Sequence, residues 1–129
     1  MPHIYSKVDT LQGEDMVGSK QCVALLQHYA KLDHTSMWKE GKTVLGTFTI
    51  AKGTAIATFV DGRYKSRPTG NHAAFYISQD AGGIWIMDQW ANDQKKKTVS
   101  KRYIMRMGKL QNGQYVTPSD NADAYSVIE

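Results

Sequence analysis

The sequence predicts an α+β domain, with N-terminal helices packed on an antiparallel sheet of about five to six strands. Three observations carry this expectation. An apolar stripe at helical spacing runs through "GSKQCVALLQHYAKL", residues 18–32. Beyond Gly53 the texture changes to short runs rich in β-branched and aromatic residues, divided by Gly, Asn and Asp. The helical signal comes first and the strand signals come together after it, which segregates the two kinds of element. A chain of 129 residues suits one core, so residues 1–129 are read as one domain.

Each element has its own warrant. Residues 1–17 read as irregular. Ser19 is a candidate N-cap, which places Gln21 and Cys22 in the first turn of a helix over about 20–33. Leu25, Leu26, Tyr29 and Leu32, or alternatively Val23, Leu26 and Ala30, supply its buried face. Met37 and Trp38 suggest a short second helix, and Gly41 and Gly46 punctuate the stretch up to residue 50. Strands are expected at 54–60 ("TAIATFV"), 72–78 ("HAAFYIS"), 84–90 ("IWIMDQW") and 98–107 ("TVSKRYIMRM"). The second and third of these form a hairpin through the turn near "QDAGG". A further turn is expected at Asn112-Gly113. "AYSVIE" returns as a last strand at the sheet edge or centre.

Composition narrows the function only loosely. Sixteen Lys and Arg against twelve Asp and Glu give a formal charge of +4, which favours anionic partners without choosing among them. The single cysteine excludes an internal disulfide. "MPHIYSKVDTLQGEDMV" contains no apolar h-region, so no secretory signal peptide is expected, and synthesis in a cytoplasm is implied. No apolar run nears the roughly 20 residues of a membrane span, so membrane insertion is not expected. No phosphate loop, zinc spacing or nucleic-acid fold signature is present, and nucleic acid is not an expected partner.

The chemistry-bearing candidates begin with Cys22. A thiol in the first helical turn meets unsatisfied N–H groups and the positive end of the dipole, both of which favour thiolate. A lone cysteine can equally be a small buried hydrophobe. Of the four histidines, His28 lies about 9 Å along the same helix and far around it. His3 is terminal and His34 comes after the helix. His72 opens a strand, where its imidazole can point at a helix start. Alternation in "IWIMDQW" puts Ile84, Ile86, Asp88 and Trp90 on one face and Gln89 on the other. An Asp in an apolar row needs a partner, and the hairpin returns Asp88 to the end of the sheet where His72 begins. The bland reading leaves Asp88 at the surface.

The order of "QCVALL" at a helix start, a "GTAIATF" strand, "NHAAFYI" and "IWIMDQW" resembles the papain-like NlpC-type and CHAP-type cysteine amidases. It is most similar to the small peptidoglycan amidase effectors of bacterial type VI secretion. The likeness runs from about Gly18 to Trp90 and more weakly through "YSVIE". It implies a papain-like fold with Cys22 as nucleophile, His72 as general base and Asp88 as the third group, with Gln89 the adjacent alternative. Gln21 matches a residue often found there in CHAP domains. Met16 stands where papain has its glutamine, so the Cys22 backbone N–H is the oxyanion donor implied. Gln21, Gln89, Tyr64 and Trp90 are candidate substrate or oxyanion contacts, and packing is the alternative for Tyr64 and Trp90. Arg63, Tyr64, Lys65 and Arg67 are candidates for a groove border. The resemblance implies acyl transfer on peptidoglycan stem peptides, no cofactor or metal, action in the periplasm of a target cell, and a cognate immunity protein. Lys95, Lys96, Lys97, Lys101, Arg102 and Arg106 form the densest basic stretch. It reads as a solvated face, or as a surface attracted to the anionic wall or an acidic inhibitor protein.

Overall fold

The computed structural model describes residues 2–65 and 70–129. One α-helix and six strands make up its regular structure, together with short 3₁₀ turns. The strands are β1 (Glu40–Thr43), β2 (Ala55–Thr58), β3 (Ala73–Asp80), β4 (Gly83–Asp88), β5 (Ser100–Met105) and β6 (Tyr125–Ile128). They form one sheet in the order β1-β6-β2-β3-β4-β5. Every neighbouring pair is antiparallel. The α+β class and the strand count are as expected.

The helix α1 spans Cys22–Ala30, shorter than the expected 20–33. Its N-cap is Gln21, whose side chain makes no capping hydrogen bond. Ser19 is not the cap; its Oγ only accepts a long 3.5 Å bond from the Gln21 N–H. Cys22 is therefore the first helical residue. The far end stops at Lys31, which adopts a left-handed φ of 58°. Met37 closes a single 3₁₀ turn, Thr35–Met37, with Trp38 as its C-cap.

The sheet is buried on both faces, so its central strands read as continuous apolar runs. On one face Leu25 and Leu26 of α1 pack with Ala55, Ala57, Phe75 and Met87. Val8 and Leu11 join this cluster from a 3₁₀ turn at Val8–Leu11, so the N-terminal segment is not wholly irregular. On the other face lie Ile56, Ala74, Tyr76, Ile84, Ile86 and Tyr125. The 106–124 stretch covers that face, organised by buried Asn121. Its amide donates to the Gly108 and Val116 carbonyls and accepts from the Met107 and Asp123 N–H groups.

One departure affects the sheet. β1 is not among the expected strands, because "EGKT" is mostly exposed and carries no alternating apolar signal. β6 lies inside the sheet, between β1 and β2, the interior one of the two places expected for "AYSVIE". The β3–β4 hairpin turns at Ala81 and Gly82, with Asp80 opposite Gly83. A bulge between Tyr76 and Ser78 shifts the register, leaving Phe75 opposite Met87. The start of β3 and the end of β4 thus meet at one end of the sheet.

Candidate active site

That end of the sheet holds three of the sequence candidates. His72 directly precedes β3, pinned to the end of β2. Its N–H donates to Thr58 Oγ1 at 3.0 Å, and its carbonyl accepts from the Thr58 N–H at 3.0 Å. Asp88 closes β4 and is fully buried on the face it shares with Ile84 and Ile86. His72 Nε2 and Asp88 Oδ2 lie 2.7 Å apart. With Nε2 committed to the carboxylate, Nδ1 is the ring nitrogen left for Cys22. The thiol, half-buried at the first position of α1, lines the same cleft as His72 and interacts with the imidazole closely enough to shift both groups.

The electrostatics derive from this geometry. Burial pushes the Cys22 thiol up, but the His72 hydrogen bond and charge, with lesser help from the Tyr64 hydroxyl and the Ala73 backbone, bring it below its ordinary value. Burial pulls the His72 imidazole down, but its hydrogen bonds to Asp88 and Cys22 and their charges push it up to about 9. Burial likewise opposes ionisation of Asp88, and the His72 and Arg102 partners overcome it, leaving the carboxyl below its usual range. Both shifts act in the direction of a thiolate beside an imidazolium.

Cys22 and His72 line an open cleft of about 590 Å³, which also includes Gln21, Tyr64, Asn71 and Trp90. Tyr64 Oη lies 3.6 Å from Cys22 Sγ. Its ring packs on Trp38 at 4.9 Å between centroids. Burial and the neighbouring thiol push its phenol far above the ordinary value, so the hydroxyl stays protonated. Arg67, expected at the groove border, lies outside the described residues.

A family model for domesticated amidase effector 2 matches residues 3–128. The chain belongs to the domesticated amidase effector 2 family. It is 47% identical over 133 residues to the type VI secretion amidase effector 2 protein of Salmonella typhi, with both chains covered in full. It is 34% identical over 124 residues to domesticated amidase effector 2 of Ixodes scapularis, covering 92% of this chain and 78% of that protein. A solved structure of type 6 secretion amidase effector 2 superposes with a TM-score of 0.92 at 46% identity, over 98% of this chain and 94% of the other.

In this member of the amidase effector 2 family, Asp88 and not Gln89 meets the imidazole. Gln89 points to the opposite face and is fully buried. Its Nε2 donates to the Val17 carbonyl at 3.1 Å and the Gln21 carbonyl at 2.8 Å, and its Oε1 accepts from the Val17 N–H at 3.0 Å. A substrate or oxyanion contact from Gln89 is therefore corrected to a clasp that holds the chain entering α1. Gln21 lines the cleft and lends its carbonyl to that clasp.

The basic stretch also needs correction. Lys95, Lys97 and Lys101 are exposed, but Lys96 is 8% exposed and Arg102 is half-buried, and both turn toward Asp88. Arg102 Nε donates to Asp88 Oδ2 at 2.8 Å. Lys96 Nζ lies 3.6 Å from Asp88 Oδ1. Trp90 lines the cleft with both cations against its ring, Lys96 Nζ at 4.4 Å and Arg102 Cζ at 5.1 Å from the centroid. Sequence reading missed Lys96 and Arg102. The available signal was parity: Arg102 falls in register with Ile86, one step along the same inward row as Asp88.

Among the described residues, no three His, Cys, Asp or Glu side chains gather as a metal site requires. No helix among them is long and apolar enough to cross a membrane.

Proposed function

We propose that the protein is a cysteine amidase of papain-like, NlpC/CHAP type that hydrolyses an amide bond of the peptidoglycan stem peptide or cross-link. The observation that carries this reading is the His72–Asp88 pair at 2.7 Å, with His72 and Cys22 lining one cleft. Membership of the amidase effector 2 family supports the reaction class. The names of two relatives support delivery by type VI secretion. Action in the periplasm of a target cell, and an immunity protein that protects the producer, are part of this reading through the resemblance alone.

The Cys22 thiolate attacks the amide carbonyl carbon, forming a C–S bond as the carbonyl π pair moves onto oxygen. The Cys22 backbone N–H, free of a helical partner at the first position, and the Tyr64 hydroxyl donate to that oxyanion. The His72 imidazolium passes its proton to the amide nitrogen, the C–N bond breaks, and the amine leaves. Water then attacks the thioester and gives a proton to His72. The C–S bond breaks, the acid is released and the thiolate returns. Asp88 holds the tautomer and orientation of the imidazole throughout.

Digestion of purified peptidoglycan, with mass spectrometry of the released muropeptides, tests activity and identifies the bond. Wild type should release peptide fragments, and Cys22→Ala should release none above background. Equal release by both would remove Cys22 as nucleophile.

A further inference from the structure

Asp88 is served by more positive charge than one carboxylate needs. Its Oδ2 takes hydrogen bonds from both His72 Nε2 and Arg102 Nε. The Arg102 guanidinium is fixed at its other end, where Nη1 donates to Asp120 Oδ1 at 3.0 Å. Lys96 faces Oδ1 at 3.6 Å, an oxygen with no hydrogen-bond partner of its own. Its ammonium also bonds Ser100 Oγ and sits on the Trp90 ring, which in turn stands edge-on to His72 at 6.4 Å. Burying a lysine costs free energy that a neutral side chain of the same length avoids. Its place beside a carboxylate already paired with Arg102 and His72 calls for a role other than neutralisation.

We propose that Lys96 and Arg102 are positioning residues of the catalytic unit: together they fix the Asp88 carboxylate and share its charge, so that His72 binds its proton less tightly than an isolated Asp–His pair would. The inference rests on the cysteine amidase reading above. Cys22 from α1 and Asp88 from β4 act on the imidazole directly. Arg102 from β5 and Lys96 from the β4–β5 loop reach it through Asp88, with Asp93 of the same loop beside Lys96, Tyr125 of β6 and Asp120 beside Arg102, and Tyr64 from the loop after β2 beside Cys22. Cys22 and Asp88, when ionised, hold the imidazolium proton. The two cations are the groups in this set that oppose it. A general acid that must surrender its proton to a leaving amine works best with a pKa near the working pH. The cation pair moves His72 in that direction while Asp88 keeps the ring aligned.

Cys22 is the sole cysteine, so iodoacetamide alkylation of the intact chain reads this site alone. The rate, measured against pH, shows a lower inflection where the ion pair forms and an upper one where His72 loses its proton. In Lys96→Met and Arg102→Gln the upper inflection should move up by about half to one pH unit. Amide hydrolysis should fall about 10-fold in kcat with little change in KM. Arg102→Lys, which retains the charge, should return the inflection toward wild type. Lys96→Met preserves the buried stem and keeps the test available if Arg102→Gln does not fold. An unmoved upper inflection in the folded variants overturns the inference. Wall digestion by Cys22→Ala would instead overturn the cysteine amidase reading, so the two failures are distinct.

Discussion

At the scale of single residues, the site illustrates which side chains a sequence can place. Cys22, His72 and Asp88 were legible because each is fixed by backbone position: a helix start, a strand start, and one parity within a strand. Lys96 and Arg102 were not, because a long side chain can snorkel outward or fold back, and composition does not distinguish the two. Tyr64 was a candidate contact whose role depended on where its loop went, and the structure brings its hydroxyl to 3.6 Å from Cys22 Sγ. Tyr64→Phe keeps the ring against Trp38 and removes only the donor. It should lower kcat by about 10²-fold, the cost of losing one oxyanion donor. The melting temperature should stay within about 2 °C of wild type. A steady-state assay with unchanged kcat would return Tyr64 to packing alone.

At the scale of elements, α1 is too short to hold itself in place. An isolated helix of nine residues is marginal in water, so its position comes from tertiary contacts. Leu25 and Leu26 bind its apolar side to the sheet, and Gln89 clasps the chain that enters it. The clasp lies one residue from Asp88, so a single strand end fixes both the third catalytic candidate and the approach of the nucleophile. Gln89→Leu retains the volume but strands the Val17 N–H and the Val17 and Gln21 carbonyls. It should cost about 2–4 kcal/mol in denaturant unfolding. It should also lower kcat, although Gln89 does not line the cleft. Stability loss with kcat intact would mean that the clasp does not set the position of Cys22. The pattern that reveals α1, β2, β3 and β4 is a buried apolar face or run. β1 lacks it, and the place of β6 in the middle of the sheet depends on a long-range return that local pattern does not encode.

At the scale of the whole molecule, the two shifts at the site give opposing pH dependences. His72 has its pKa raised from 6.5 to about 9, so alone its stabilising contribution would be full below 6.5 and would be lost as pH rises through about 9. Cys22 has its pKa lowered from 9.0, so its contribution runs the other way, present above that value and lost as pH falls through the folded pKa. The two contributions have opposite slopes, so the Cys22 titration offsets part of the loss that His72 alone would bring as pH rises. Asp88, lowered from 3.8, adds a loss of stability only as pH falls through its folded value. Cys22→Ser removes the compensating titration and leaves His72 bound to Asp88 at 2.7 Å. The folded variant then holds a proton that its unfolded chain has released. Its unfolding free energy should fall by about 1–2 kcal/mol as pH rises above 6.5, a steeper loss than the wild type shows. Denaturant unfolding of both proteins at a series of pH values measures the difference. Parallel curves would mean that the thiol and imidazole do not share one proton as an ion pair, and that the nucleophile must be activated only when substrate arrives.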